Sequence, residues 1–395
     1  MLTSLAIESN FPRPDAGRMQ LFEDDGLMAK NTVTLLAVGD VGPIHEPIEA
    51  YSALVCPTLA KADIRFAQSE RLYSARGELQ LHSGVKDRPL DERLASVFTD
   101  CGFDVVSVAG NLAMNWGPDA LLDTIAMFRK RGIEPIGGGE TLEEACRAAV
   151  IARNGVKVAF LAFCSVLREG YEAGPNKAGV APIRAHTYYQ TVDYQPGVPP
   201  HIVTIPNADD LAVMEAAIAK ARAQADVVVL SLHWGIHFIP RLIAEYQPIV
   251  ARAAFAAGAD IIVGHHAHAP KAIGVHDGKV CFYSLSNFIM SSNALPPTPA
   301  KVAEFERHYG VKLDPDYPRL PYGPDGQRSV IAKAVMSKSG VERVSFLPAH
   351  IDRQLRPEIL RKGDPRFDEA VRFMDWVSED FDHTFTVDGD EVVVS

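Results

Sequence analysis

The stretch AGADIIVGHHAHAP, residues 257–270, decides both the fold and the site predicted for this chain. Residues 260–263 have the apolar, β-branched character of a short buried strand. His265, His266 and His268 follow that strand after a single glycine. Open α/β sheets bind ligands just beyond the carboxyl ends of their strands, where imidazoles suit zinc, manganese or iron. We predict a metal site here; the alternative is a polar turn whose histidines are hydrogen-bonded or solvated.

Four further predicted strands end in polar residues. The strands are residues 32–38, 64–67, 103–108 and 227–232, and the residues that follow them are Asp40, Glu70, Asn111 and His233. Each alone is explained as well by a turn, a helix cap, a surface carboxylate or a core histidine. Together they favour a centre for one or two divalent ions, because ligands from several strands converge at one sheet edge. His266 and His268, two residues apart, are expected to point the same way in extended backbone.

Strands and helices alternate along most of the chain, which predicts a layered α/β sandwich. We divide the 395 residues, of which 47% are apolar, into four segments. These are a polar N-terminal arm (1–30), a core (31–290), a proline-rich insertion or wrapping loop (291–328), and C-terminal strands and a helix that complete the core (329–395).

Composition excludes some partners. A net charge of −11 disfavours nonspecific binding to nucleic acid or to anionic membranes. The N-terminal sequence lacks the basic and apolar segments of a signal peptide, and no apolar run is long enough to span a bilayer, so we expect a cytoplasmic protein. The five cysteines are scattered and odd in number, which favours free thiols over disulfides. The oligomeric state stays open.

One long connection, residues 167–208, follows a predicted buried strand, and we expect an irregular loop there because it is rich in glycine and proline. Long loops in compact domains are often functional. Arg168, Lys177 and Arg184 lie in it. Solvated surface charge is the commoner explanation; the alternative, which we carry forward, is that they bind a small-molecule or peptide-like anionic substrate.

Six short motifs also resemble a known family. They are GDV (39–41), SER (69–71), AGN (109–111), SLHWG (231–235), GHHAH (264–268) and YSLSNF (283–288). In this order they resemble the CapA, or poly-γ-glutamate capsule synthesis, family, which is similar to calcineurin-like metallophosphoesterases. The resemblance spans residues 33–290 and, more loosely, 329–380.

The resemblance implies a four-layer α/β/β/α fold and a divalent metal centre. The ligands that it implies are Asp40, Glu70, Asn111, His233, His266 and His268. It also implies that His265 is a further ligand or a residue that supports one. We take His233, His265 and Asn111 as candidate catalytic residues.

Two positions depart from the family pattern. Leu112 and Asn115 stand where the family usually has histidine and aspartate. The resemblance to phosphoesterases implies that a histidine at this position protonates the leaving group, and leucine cannot transfer a proton. His237, four residues after His233, is an alternative donor, although a structural role is the simpler interpretation.

We therefore expect a metal-dependent hydrolase in which metal-bound hydroxide attacks a phosphoester or a γ-glutamyl-type amide. The alternatives are a non-catalytic role in capsule or poly-γ-glutamate assembly and a degenerate, metal-free binding protein. Metal content separates the last alternative from the other two.

Overall fold

Two β-sheets form the centre of the computed structural model, which describes residues 31–83, 88–293 and 298–395. The predicted N-terminal arm, residues 1–30, lies outside the described residues. The strands of the described ranges are β1 (Val33–Gly42), β2 (Ile64–Ser69), β3 (Val105–Ser107), β4 (Glu134–Ile136), β5 (Gly138–Gly139), β6 (Ala149–Arg153), β7 (Val156–Cys164), β8 (Gly179–Val180), β9 (Ala185–Gln190), β10 (His201–Pro206), β11 (Val227–His233), β12 (Ile261–His265), β13 (Ile273–His276), β14 (Lys279–Phe282), β15 (Asn287–Met290), β16 (Arg328–Ser337), β17 (Gly340–Ile351), β18 (Pro357–Ile359), β19 (Phe385–Asp388) and β20 (Glu391–Val394). Their α-helices are α1 (Ile48–Ser52), α2 (Cys56–Leu59), α3 (Ser96–Asp100), α4 (Gly117–Lys130), α5 (Leu142–Ala145), α6 (Ala208–Arg222), α7 (Tyr246–Ala257), α8 (Pro299–Tyr309) and α9 (Pro365–Ser378). Short 3₁₀ helices span Glu92–Ala95 and Pro324–Gln327.

The first sheet has ten strands, and β1 to β4 run parallel along one half of it. From β1 the sheet continues antiparallel through β16, β17, β20 and β19, while β15 pairs with the end of β1 and β18 with β17. The second sheet has the order β13-β14-β12-β11-β7-β6, in which β7, β11, β12 and β14 are parallel. Parallel neighbours end together, so each sheet presents one edge of carboxyl-terminal strand ends.

One hydrophobic cluster fills the space between the two sheets, and a second covers the outer face of the second sheet. Phe66 of β2 stacks on Phe160 of β7 across the inter-sheet space, with 6.0 Å between ring centroids. On the outer face, Leu230 of β11 shares an apolar cluster with Met214 of α6 and Val250 of α7. Helix α4 packs against β4 of the first sheet. The layers run helix, sheet, sheet and helix, which confirms the predicted α/β/β/α sandwich.

The connection at residues 167–208 is more regular than its composition suggests. It contains β8 and the antiparallel hairpin of β9 and β10. The prediction of an irregular loop was wrong because the apolar residues of the hairpin face solvent, as Tyr189 (72% exposed) and Ile202 (56% exposed) show. No buried face imposes an alternating pattern on such strands.

The proline-rich segment at residues 291–328 contains helix α8. Thr298 caps its first turn by accepting a hydrogen bond from the backbone N–H of Lys301, and Pro299 is its first residue. Gly310 ends it in the left-handed conformation, with φ of 69°. These are ordinary start and stop signals. The many prolines around them obscured the helix in the sequence.

Candidate metal centre

The structure brings the predicted residues together at the strand ends. In the first sheet, Asp40 lies near the end of β1, Glu70 directly follows β2 and Asn111 follows β3. In the second sheet, His233 and His265 are the last residues of β11 and β12. Four of these side chains are buried and that of Asn111 is half-buried. Carboxylates from one sheet therefore face imidazoles from the other.

Two glycines let the strand ends approach a shared backbone segment, residues 283–287. A Cβ atom at Gly39 would lie 1.9 Å from the carbonyl oxygen of Ser286. A Cβ atom at Gly264 would lie 2.1 Å from the carbonyl oxygen of Tyr283. A larger residue at either position would push this segment away from the strand ends that carry the cluster.

Each buried carboxylate faces histidines of the opposite sheet. Asp40 Oδ1 lies 3.3 Å from His265 Nδ1, and Asp40 Oδ2 lies 3.5 Å from His268 Nδ1. Glu70 Oε2 lies 3.9 Å from His233 Nδ1. Ligand atoms of Asp40, Glu70 and His233 all fall within 4.8 Å of one another. Since metal–ligand bonds are about 2 Å long, one divalent cation fits among them.

Asn111 and His266 extend the cluster around His233. Asn111 Oδ1 lies 3.1 Å from His233 Nε2. The ring centroid of His266 is 4.9 Å from that of His233 and 6.4 Å from that of His268. His266 and His268 have φ of 88° and 54°, so the backbone bends and the predicted extended backbone was wrong. Such φ values are strained for residues other than glycine and persist only where the surrounding structure holds them.

Burial perturbs the titration of the whole cluster. It raises the pKa of Asp40 to about 8, an effect partly offset by the backbone N–H of His266. It raises the pKa of Glu70 well above the usual range, and the neighbouring Asp40 adds to this. Burial lowers the pKa of His265 and of His268 to about 3 each. These imidazoles are therefore neutral at pH 7, the form that binds metals.

The polar atoms of the cluster are placed to coordinate a cation rather than to form hydrogen bonds with one another. Among the described residues, Glu70 Oε2, His233 Nδ1 and both ring nitrogens of His265 are buried and accept or donate no hydrogen bond. Such atoms are rare in proteins because each costs about 1–3 kcal/mol. Carboxylates and neutral imidazoles are donors that zinc, manganese and iron accept. The residues present therefore fit one or two divalent ions.

Asn287 belongs to the centre, although reasoning from strand ends missed it as a site residue. Its Nδ2 donates to the backbone oxygens of His268 (3.2 Å) and Gly326 (3.0 Å), and its Oδ1 lies 2.8 Å from His268 Nδ1. With the amide nitrogen turned to those carbonyls, His268 Nδ1–H donates to Asn287 Oδ1, which leaves the Nε2 lone pair for a metal. The signal available in the sequence was its place in the YSLSNF motif; the structure adds that Asn287 pairs with Asp40 across β1 and β15.

A cavity of about 450 Å³ adjoins the centre. Asn111 and Leu112 form part of its wall, and Arg168 is among its lining residues. The exposed hairpin contributes Thr187 of β9 and Thr204 of β10. Asn111 therefore connects the cluster to a space large enough for a small polar ligand.

The two departures from the family pattern both line this cavity. Leu112 places an apolar side chain beside Asn111. Asn115 accepts a hydrogen bond from the hydroxyl of Tyr171 at 3.0 Å. His237 lies outside the cavity lining, and its ring centroid is 3.9 Å from that of His266.

The three predicted substrate-binding residues have different surroundings. Arg168 is exposed at the cavity. Lys177 Nζ lies 3.2 Å from the carboxylate of Glu172. Arg184 donates two hydrogen bonds, of 2.7 and 2.8 Å, to the buried carboxylate of Asp210. Neither Lys177 nor Arg184 lines the cavity, so the structure separates them from Arg168.

The sequence model of one protein family, described as bacterial capsule synthesis protein PGA_cap, matches residues 34–292. This range contains every residue of the cluster. The PGA biosynthesis protein CapA of Bacillus subtilis is 34% identical over 196 residues, which are 49% of this chain and 44% of that protein. The capsule biosynthesis protein CapA of Bacillus anthracis is 28% identical over 200 residues, 50% of this chain and 43% of that protein. The chain thus matches somewhat under half the length of either relative.

Among solved structures, the calcineurin-like phosphoesterase YfkN of Bacillus subtilis aligns with a TM-score of 0.40 at 12% identity, over 88% of this chain and 98% of that one. Within the described residues, every helix is too short or too polar to cross a lipid bilayer.

Proposed function

This chain belongs to the family of bacterial capsule synthesis proteins, and on that premise we propose that it is a metal-dependent hydrolase of an anionic substrate. The bond cleaved would be a phosphoester or a γ-glutamyl-type amide. One observation carries the proposal: buried carboxylate and imidazole atoms without hydrogen-bond partners, beside a cavity of about 450 Å³. A structural polar network would have paired these atoms with one another.

Six residues would hold one or two divalent ions, with manganese, zinc and iron as candidates. They are Asp40, Glu70, Asn111, His233, His266 and His268. His265 and Asn287 would orient them through the contacts with Asp40 and His268. When bound, such ions lower the pKa of coordinated water toward about 7 and neutralise charge on the reacting group.

The cavity residues favour a small-molecule or peptide-like anion as the substrate. The guanidinium group of Arg168 can bind a carboxylate or a phosphate in a bidentate manner. Leu112 supplies no proton beside Asn111, so substrates with a stable leaving group need the least help there. The net charge of −11 argues against nucleic acid as a partner, and a cytoplasmic location stays a prediction.

A second candidate is a non-catalytic role in poly-γ-glutamate or capsule assembly. The names of both relatives describe biosynthesis rather than hydrolysis, which favours this role. In that case the same centre would bind a γ-glutamyl chain without cleaving it. A metal-free binding protein is less consistent with the unpaired donor atoms.

Turnover after metal loading distinguishes these roles. Protein loaded with manganese, zinc or iron is assayed with p-nitrophenyl phosphate and with γ-glutamyl-p-nitroanilide, whose leaving groups need little protonation. We expect one of them to be hydrolysed in a chelator-sensitive reaction. Asp40→Asn should abolish turnover, while Asp368→Asn, which removes an exposed carboxylate on α9, should not. Metal-loaded protein that cleaves neither compound would favour the assembly role.

A further inference from the structure

Cys56 and Cys101 lie side by side, although 45 positions separate them in the chain. Their Sγ atoms are 2.9 Å apart, and both thiols are free. Cys56 is the first residue of α2, and Cys101 directly follows α3. Within the described residues, no such sulfur contact joins the other three cysteines, which are Cys146, Cys164 and Cys281.

We propose that Cys56 and Cys101 form a reversible disulfide and are a redox modification site. A disulfide bond is about 2.05 Å long, so the two sulfurs need to approach by only about 0.9 Å. The two thiols differ in access, because Cys56 is half-buried and Cys101 is 3% exposed. Because Cys56 is the more accessible thiol, it would attack an external oxidant. Cys101 would then attack Cys56 and form the internal disulfide.

The hydrogen bond between the thiols supports this assignment. When the Cys101 thiol donates to the Cys56 sulfur, this hydrogen bond lowers the pKa of Cys56 to about 6 and raises that of Cys101. The thiolate is the nucleophile in thiol–disulfide exchange. The more accessible sulfur of the pair is therefore also the more reactive one at neutral pH.

A small-molecule disulfide such as oxidised glutathione is a sufficient oxidant. The Cys56 thiolate attacks one of its sulfurs and breaks its S–S bond, which releases one glutathione thiolate and forms a mixed disulfide. Cys101 then loses its proton and attacks Cys56 Sγ, which releases the second glutathione. Two protein thiols are oxidised, and one glutathione disulfide is reduced to two thiols.

The position of the pair determines what the bond would change. Cys56 and Cys101 precede the amino ends of β2 and β3, whereas Glu70 and Asn111 follow the carboxyl ends of the same strands. A bond there would close a 45-residue loop and restrict the unfolded chain. We therefore expect oxidation to raise stability and to leave metal content unchanged. The inference does not depend on the proposed hydrolase activity.

Thiol counting in glutathione buffers tests the proposal. The full chain is equilibrated with reduced glutathione or with an excess of oxidised glutathione, quenched with acid and denatured. Free thiols are then counted, and linked peptides are identified by mass spectrometry. We expect two of the five thiols to be lost on oxidation, one peptide link between Cys56 and Cys101, and a rise of about 5 °C in the unfolding temperature.

Serine variants provide the controls. Cys56→Ser and Cys101→Ser should each abolish the link and the rise in unfolding temperature. Cys146→Ser, at a half-buried cysteine that also follows a helix, should retain both. Retention of all five thiols in oxidised buffer, or a persistent glutathione adduct on Cys56 without the internal link, would overturn the proposal.

Discussion

The two ends of the neighbouring strands β2 and β3 carry carboxylates with opposite surroundings. At the amino ends, Asp104 accepts hydrogen bonds from the backbone N–H (2.9 Å) and the guanidinium (3.1 Å) of Arg65, and from Arg153 (3.2 Å). At the carboxyl ends, Glu70 is 4% exposed, and its Oε2 has no hydrogen-bond partner among the described residues. Asp104 is paired with arginines of the same chain and therefore stabilises the folded structure. Glu70 is buried without such a partner at Oε2 in the described ranges, and a bound cation would compensate its charge.

Of the effects that we predict from the difference between the two strand ends, the loss of metal affinity should be the largest. His266→Ala combined with His268→Ala should lower metal affinity by more than about 100-fold, since even residues that only support ligands contribute about 10–100-fold. Isothermal titration of the metal into chelator-treated protein measures this. His350→Ala, which removes a half-buried histidine of β17, is the control and should bind as wild type. Equal affinity in the double variant would exclude both histidines as ligands.

Substitutions at the two strand ends should change the stability of the metal-free protein in opposite directions. Glu70→Gln removes a buried acid that takes up a proton on folding, because burial raises its pKa, and should raise the free energy of unfolding near pH 7 by about 1–3 kcal/mol. Asp104→Asn weakens ion pairs with two arginines and should lower it by about 1–2 kcal/mol. Denaturant unfolding in the presence of a chelator measures both. Destabilisation by Glu70→Gln under these conditions would show that the fold itself needs that charge.

The pH dependence of the metal-free protein provides a related test at Asp40. Its pKa is about 8 in the folded protein, against a usual value near 4. Between these values the folded state holds a proton that the unfolded state has lost, so stability falls as pH rises. Other groups also titrate here, because the raised pKa of Glu70 adds to this fall and the lowered pKa of Lys271 opposes it, so a variant is needed to isolate Asp40. Between about pH 7 and 8, Asp40→Asn should lose less stability than wild type; equal slopes in the two proteins would contradict the assignment.

Substrate binding should show the smallest of these effects. Arg168→Gln should raise KM by about tenfold with little change in kcat, if the guanidinium binds the anion equally in ground and transition states. Steady-state kinetics on the hydrolysed substrate measures this. Lys177→Gln, which removes a cation paired with Glu172 outside the cavity, should leave both constants unchanged. A wild-type KM for Arg168→Gln would remove Arg168 from the binding site.

The strand-end residues were predictable because buried parallel strands have a strong local pattern. Apolar runs placed Asp40, Glu70, Asn111 and His233 at strand ends without any knowledge of distances. The single sheet edge that we expected was wrong, because His233 lies on the second sheet and the other three residues lie at strand ends of the first. The family resemblance supplied the four layers and the expected ligand set. These are properties of short segments, which a sequence carries directly.

Other features depend on contacts between distant segments. The positive φ of His266 and His268 is imposed by surrounding structure, so their spacing of two residues gave the wrong orientation. The bond between Asn287 and His268 needs β15 to lie beside β1. The proximity of Cys56 and Cys101 arises from packing across 45 positions, which no local pattern encodes.

Elemental analysis of the folded wild-type chain, purified without added metal, tests the central claim most directly. The comparison between the strand ends predicts one or two equivalents of manganese, zinc or iron per chain. The same measurement on Asp40→Asn should give a marked loss, and on Asp104→Asn the wild-type content. Folded wild-type protein that carries no metal and takes up none from micromolar manganese, zinc or iron would contradict the assignment of the cluster as a metal centre.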